Sequence, residues 1–305
     1  MSIIANLISA FSLLSLPILS TQVIETGYAE INQEVYLSKT LYQPNAPYRL
    51  NNNSLGIKIT AQSALIVDQA TGLALWQKRP AEQRSIASLT KLMTALVFLD
   101  HNPGWNESVK IIPDDYLEGG RIRVYSGEEI TVRDLFNASL VASSNNATMA
   151  LARSTGLSAE EFIWAMNDKA KALGMTGSNF AEPTGLDPAN ISTAEDLVKL
   201  AKEAFNRPEI SQATIQKKYN LSVLNVDRNY TLENTDRLLN SYLKVRAGKT
   251  GYLDEAGYCL LSEIEGPAGQ RLIVVVLGSS EELGRFQEVK ALSQWAFDNY
   301  RWPKN

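Results

Sequence analysis

Histidine and cysteine are almost missing from this 305-residue chain, with one of each, His101 and Cys259. A single cysteine excludes an intramolecular disulfide and any cysteine-based metal cluster. Cys259 lies in the apolar stretch Gly257–Leu261, which reads as a strand, so it is expected to be a buried structural thiol. His101 stands in His101-Asn102-Pro103 at the end of a helical pattern. Histidine beside proline is an ordinary helix stop at the surface, so a Ser-His-Asp triad is set aside. No set of His, Cys and carboxylates has metal-ligand spacing, and neither a metal nor a cofactor is expected. A basic excess is missing too. Lys and Arg total 29 against 33 Asp and Glu, a net charge of −4, which argues against the basic stripe of a nucleic-acid binder. Gly248-Lys249-Thr250 resembles the end of a phosphate loop but lacks the earlier glycine such a loop needs.

Charge is also absent from Met1 to Ile24, and Ile3 to Leu19 is largely apolar with small polar breaks. This stretch is too short and too serine-rich to read as a membrane span, and it has the character of a secretory signal. The usual preceding basic segment is missing, since the first lysine is Lys39. Gly27-Tyr28-Ala29 offers small residues for cleavage, which predicts a signal over 1–29, a mature start at Glu30 and an exported protein. An uncleaved anchor is the alternative, and only then would the chain associate with a membrane. Residues 30–60, with Pro44, Pro47 and Asn51-Asn52-Asn53, read as an irregular arm. Residues 61–305 read as a single domain.

What is present is an ordinary globular composition, 45% hydrophobic and 20% charged. Ala64–Asp68 and Leu73–Gln77 flank a short glycine-containing connection and predict a hairpin. From Ser88 to Leu99, apolar residues at Leu89, Leu92, Met93, Leu96 and Val97 have helical spacing. Helical patterns recur over 131–153, 159–173 and 193–205, with turn chemistry at Pro183–Pro188. Strands are predicted at Leu243–Ala247, Tyr258–Ile264 and Leu272–Leu277, and then an amphipathic helix over Glu282–Tyr300. Strands at both ends and helices between them predict an α/β fold, one sheet with an inserted mostly helical region.

Three short polar strings carry the chemistry. Acyl transfer without histidine needs another base, and Ser88-Leu89-Thr90-Lys91 puts a lysine three residues after a serine. On a helix these positions share a face, and a neutral lysine can take the serine's proton and make it a nucleophile. The helix start adds backbone N–H groups suited to developing negative charge. Ser143-Ser144-Asn145 is weak alone, since a serine before a helical run is often only a cap. Lys249-Thr250-Gly251 is more specific. Its lysine and hydroxyl suit a terminal carboxylate, and its glycine lets a substrate backbone lie close. Their order and placement favour a serine–lysine acyl transferase.

The flanking residues bring a resemblance. Ile86–Ala95, Leu173-Gly174-Met175, Phe180–Leu186, Ser192–Leu197, Gly248–Tyr252 and Ala256-Gly257-Tyr258 together resemble the D-alanyl-D-alanine carboxypeptidases and endopeptidases, the low-molecular-mass penicillin-binding proteins. The resemblance runs from about Ala64 to Leu277. It implies a β-lactamase/transpeptidase-like fold whose central, mainly antiparallel sheet is flanked by helices. It further implies that Ser88 attacks a carbonyl between D-alanine-type residues, that Lys91 accepts its proton and that Ser143 relays one to the leaving amine. Asn145 would hold the substrate amide, Lys249 and Thr250 would bind the terminal carboxylate or support the proton relay, and Gly251 would belong to the same substrate-binding set. The backbone N–H groups of Ser88 and Tyr252 would hold the oxyanion. The implied partners are peptidoglycan stem peptides, with β-lactams as inhibitors. A chain ending at Asn305, without a further β domain or anchor, looks most like the soluble periplasmic endopeptidase branch. A class A-like β-lactamase is the rival enzyme, because Glu182–Asp187 faintly resembles its glutamate loop, though with altered spacing. A catalytically silent cell-wall sensor or scaffold is the rival of a different class.

Overall fold

The computed structural model describes residues 46–51, 54, 56–120 and 123–303. The expected signal over 1–29 and the first part of the arm lie outside the described residues. Regular structure begins within the expected arm. Tyr48–Arg49 pairs with Tyr300–Arg301, Leu50 N–H donates to Asn299 O, and the Arg49 guanidinium lies over the Trp295 ring. This end of the arm is therefore tied to the last helix rather than free.

Five strands form the main sheet in the order Lys244–Leu253, Gly257–Glu265, Arg271–Ser279, Ser63–Asp68, Ala74–Lys78, every neighbouring pair antiparallel. Two strands from the N-terminal part of the domain, Ser63–Asp68 and Ala74–Lys78, thus complete a sheet whose other three come from its C-terminal part. The three inner strands, Gly257–Glu265, Arg271–Ser279 and Ser63–Asp68, are buried along most of their length because both faces are covered. On one face Ala64, Ile66, Leu272, Val274 and Val276 meet Phe286, Val289 and Leu292 of the final helix, Gly284–Asn299. On the other, Leu65, Val67, Ile273 and Val275 meet the helices Lys91–Asp100 and Ala194–Phe205. Each fully buried large apolar side chain here contributes about 1.5–3 kcal/mol. Among the described residues no helix is long and apolar enough to cross a membrane.

Two elements depart from the sequence expectation, and both departures shape the site. The helical pattern over 131–153 is two helices, Val132–Val141 and Asn145–Ser154. Between them Ser143 takes a left-handed backbone with φ 54°, and Ser144 caps the second helix by accepting the Ala147 N–H. Short polar side chains that can bond the backbone locally favour such breaks over helix continuation. The strand expected to stop at Ala247 runs on to Leu253 through Lys249-Thr250-Gly251. Its pairing with Gly257–Glu265 runs from Lys244 opposite Glu265 to Leu253 opposite Gly257, with one irregularity between Val245 and Ala247.

A hairpin of Lys218–Ser222 and Asn229–Glu233 was not anticipated. Its alternation is legible, with Leu221 and Leu232 buried and most of the remaining side chains facing outward.

Candidate active site

Ser88 lies in a 3₁₀ turn, Ala87–Thr90, that leads directly into the helix Lys91–Asp100. The turn is strained and braced. Ala87 has φ 47°, and Thr90 Oγ1 donates to Ala87 O at 2.8 Å. From the first helical position the fully buried Lys91 sends its amine back under Ser88. Lys91 Nζ donates to Ser88 Oγ at 2.9 Å, to Asn145 Oδ1 at 2.6 Å and to Thr184 O at 2.6 Å. Asn145 is presented by the helix it begins, and Thr184 by the loop 181–190.

That loop is organised by Glu182. Its carboxylate accepts the N–H groups of Thr184, Gly185 and Leu186, the Thr184 hydroxyl and the Asn190 side-chain amide. Gly185 is required here, because its φ is 84° and a Cβ would stand 2.0 Å from Ala87 O. A carboxylate spent on this many donors is a brace for the loop that carries Thr184 O. Such a brace does not suit the water-activating glutamate of a class A-like β-lactamase.

Across the cleft, the left-handed Ser143 points its hydroxyl at the edge strand. Lys249 Nζ donates to Ser143 Oγ at 2.9 Å and to Thr250 O at 3.0 Å. Thr250 Oγ1 and Thr235 Oγ1 share a hydrogen bond of 2.6 Å. Gly251 runs close to the nucleophile turn; a Cβ there would lie 2.9 Å from Ile86 O and 3.2 Å from Ser88 N. The next residue, Tyr252, is half exposed and stacks on Tyr258 with ring centroids 4.3 Å apart. Its hydroxyl donates to Asp254 at 2.6 Å, which pushes the phenol up to about 12.

Ser88, Ser143, Asn145, Thr250, Gly251 and Tyr252 line one cavity of about 620 Å³. Lys91 and Lys249 sit immediately behind its wall, so the structure gathers all eight residues singled out in the sequence. It also adds groups that sequence reasoning missed. Arg285, on the final helix, lines the cavity and donates to Gly251 O at 2.8 Å. Burial holds its guanidinium below the usual arginine value. Asn234 and Thr235 line the cavity too, and Asp236 is buried just beyond them. A buried-face arginine in an otherwise apolar helical stripe was the available signal for Arg285. The polar run Asn234-Thr235-Asp236 had none without the hairpin that delivers it. His101 is exposed, and Cys259 is buried, its thiol pushed up to about 11 by that burial.

Comparison with known proteins agrees with this geometry. The pattern of the D-alanyl-D-alanine carboxypeptidase family, peptidase family S11, matches residues 49–281. A D-alanyl-D-alanine endopeptidase of Pseudomonas aeruginosa is 36% identical over 247 residues, covering 78% of this chain and 77% of that protein. The D-alanyl-D-alanine carboxypeptidase DacF of Bacillus subtilis is 34% identical over 246 residues, 79% of this chain. The match spans 63% of DacF, just under two thirds of its length. The solved structure of penicillin-binding protein D2 from Listeria monocytogenes, in its ampicillin-bound form, superposes with a TM-score of 0.70 at 30% identity. That superposition covers 80% of this chain and all of the other.

Proposed function

Because the chain belongs to the D-alanyl-D-alanine carboxypeptidase family, we propose that it is a penicillin-sensitive serine D,D-peptidase acting on peptidoglycan through an acyl-enzyme on Ser88. One observation carries this reading: two buried lysines each reach a serine hydroxyl at 2.9 Å from opposite sides of one cleft. In its neutral form Lys91 takes the Ser88 proton as Ser88 Oγ attacks the scissile carbonyl. The carbonyl oxygen becomes an oxyanion between the backbone N–H groups of Ser88 and Tyr252. Preorganised donors of this kind contribute a few kcal/mol each to the transition state. Collapse breaks the C–N bond, and the leaving amine takes a proton delivered through Lys91 and Ser143. The Ser88 ester that remains is hydrolysed by water. Asn145, held by Lys91, orients the substrate amide. Lys249, Thr250 and Gly251, joined by Arg285, receive the carboxylate beside the scissile bond.

The bond cut is the D-alanyl–diamino-acid cross-link between stem peptides, or the terminal D-Ala-D-Ala bond. Identity to a D-alanyl-D-alanine endopeptidase favours the cross-link, and the apolar N-terminus supports export to the periplasm. β-Lactams fit as acylating inhibitors, since a solved structure of this fold is ampicillin-bound. The test is mass spectrometry of cross-linked muropeptide dimers incubated with the protein and with Ser88→Ala. Conversion of dimers to monomers by the unsubstituted protein alone is the expected result. Loss of terminal D-alanine from intact dimers would make it a carboxypeptidase. No Ser88-dependent product from either bond would overturn the proposal.

A further inference from the structure

The carboxylate end of the cleft contains a buried acid that the mechanism above does not use. Asp236 is 3% exposed and begins the 3₁₀ turn Arg237–Asn240. Its Oδ1 accepts the Leu238 N–H at 2.9 Å, while its Oδ2 is buried with no hydrogen-bond partner among the described residues. That free oxygen faces the strand carrying Lys249-Thr250-Gly251. A Cβ on Gly248 would lie 2.7 Å from it, so only glycine lets the carboxyl approach this backbone. Ser262 Oγ, from the neighbouring strand, lies 3.3 Å from the same point and is also buried without a hydrogen-bond partner, as is Arg285 Nε. The charges acting on Asp236 are Arg285 from the final helix and Lys249 from the edge strand. Its chain neighbour Arg237 is turned outward and paired with Glu282 at 3.1 Å.

We propose that Asp236 is a positioning residue for the carboxylate subsite, a counter-charge beneath Lys249 and Arg285 whose ionisation sets how strongly that subsite binds an acidic substrate terminus. The inference rests on the D,D-peptidase reading and deepens it. With Asp236 ionised, Lys249, Arg285 and Asp236 sum to one positive charge; with it neutral they sum to two. Burial pushes the Asp236 carboxyl up to about 6, against the opposing pull of its Leu238 hydrogen bond and the two cations. The switch between the two sums therefore falls within the working pH range of an exported enzyme. Affinity for a free carboxylate is strongest on the acid side of the transition and weakens as Asp236 ionises.

The experiment compares the full protein with Asp236→Asn, which keeps the shape and an oxygen for the Leu238 N–H. The probes are a peptide ending in D-Ala-D-Ala with a free carboxylate, followed by KM and kcat from pH 5 to 8, and its C-terminal amide, followed as a competitor. Without the substitution, KM for the acid should rise roughly three- to tenfold through pH 6, the size of one partly screened charge. In D236N it should stay at the low value, and the amide's inhibition constant should move in neither protein. The same rise of KM in D236N, or an equal shift for the amide, would overturn the inference while leaving the peptidase reading intact. Failure of the unsubstituted protein to cleave either the acid or a cross-linked muropeptide dimer at any pH would overturn both.

Discussion

The two ends of the cleft are built differently. At the nucleophile end, Lys91 is gripped by a hydroxyl, a side-chain amide and a backbone carbonyl from three separate segments. The loop supplying that carbonyl is braced in turn by Glu182. At the carboxylate end, Lys249 and Arg285 stand near Asp236, and Asp236 Oδ2, Ser262 Oγ and Arg285 Nε are buried without hydrogen-bond partners among the described residues. Buried polar groups are normally satisfied, and each exception is costly. The nucleophile end is thus a positioning device and the other end an electrostatic one. Geometry fixes where a proton goes, and net charge fixes what is bound.

The comparison breaks most sharply at Ser88. Ser88→Ala should lower peptide cleavage by about 10⁴-fold or more and abolish labelling by a fluorescent penicillin, with the fold intact by circular dichroism. Retained labelling would move the nucleophile elsewhere. Lys91→Met keeps bulk but removes the amine, and acylation should fall by about 10³-fold. Its melting temperature should fall as well, because Asn145 Oδ1 and Thr184 O lose their donor. Gly251→Ala probes the seam between the ends. Its Cβ would sit 2.9 Å from Ile86 O, forcing the edge strand away from the nucleophile turn. A drop of about 10²-fold in kcat/KM is expected, read by stopped-flow acylation, and an unchanged rate would mean the seam is looser than described.

Legibility in the sequence follows the same division. The nucleophile end was readable because Ser88 and Lys91 are three residues apart in sequence, a spacing that lets Lys91 reach back to Ser88 across the 3₁₀ turn that leads into the helix. The sheet was readable from apolar runs bounded by glycine-rich turns. What was not readable depends on breaks and on distance. The motif named Ser143, but the helical pattern over 131–153 did not show the break there, where Ser143 is left-handed and Ser144 caps the next helix. Arg285 reaches Gly251 across 34 residues, and Asp236 reaches Gly248 only because an unanticipated hairpin precedes it. No spacing rule reports such contacts.

Smaller effects sharpen the picture. Glu182→Gln replaces one acceptor oxygen with a donor facing the backbone N–H groups of residues 184–186. A loss of about 2–3 kcal/mol is expected in urea unfolding, together with slower acylation as Thr184 O shifts. The lifetime of a preformed penicillin acyl-enzyme should be unchanged. A lifetime lengthened by orders of magnitude would instead make Glu182 the deacylating base of a β-lactamase.

The subtlest test is the stability of Asp236→Asn against pH. The carboxyl is raised to about 6 from an unfolded value near 3.8, so the folded protein holds this proton more tightly than the unfolded chain. Below about pH 4 both states are protonated and Asp236 carries no ionisation penalty. As pH rises through 6 the folded state must ionise a buried carboxyl, and the stability associated with the proton is lost. D236N has no proton to lose. Its melting temperature should match that of the unsubstituted protein near pH 3 and exceed it at pH 7.5 by an amount corresponding to about 3 kcal/mol. A crossing in the opposite sense would mean that Lys249 and Arg285 stabilise the carboxylate more than burial opposes it. The carboxylate end would then be a satisfied ion cluster, and the contrast between the two ends of the cleft would disappear.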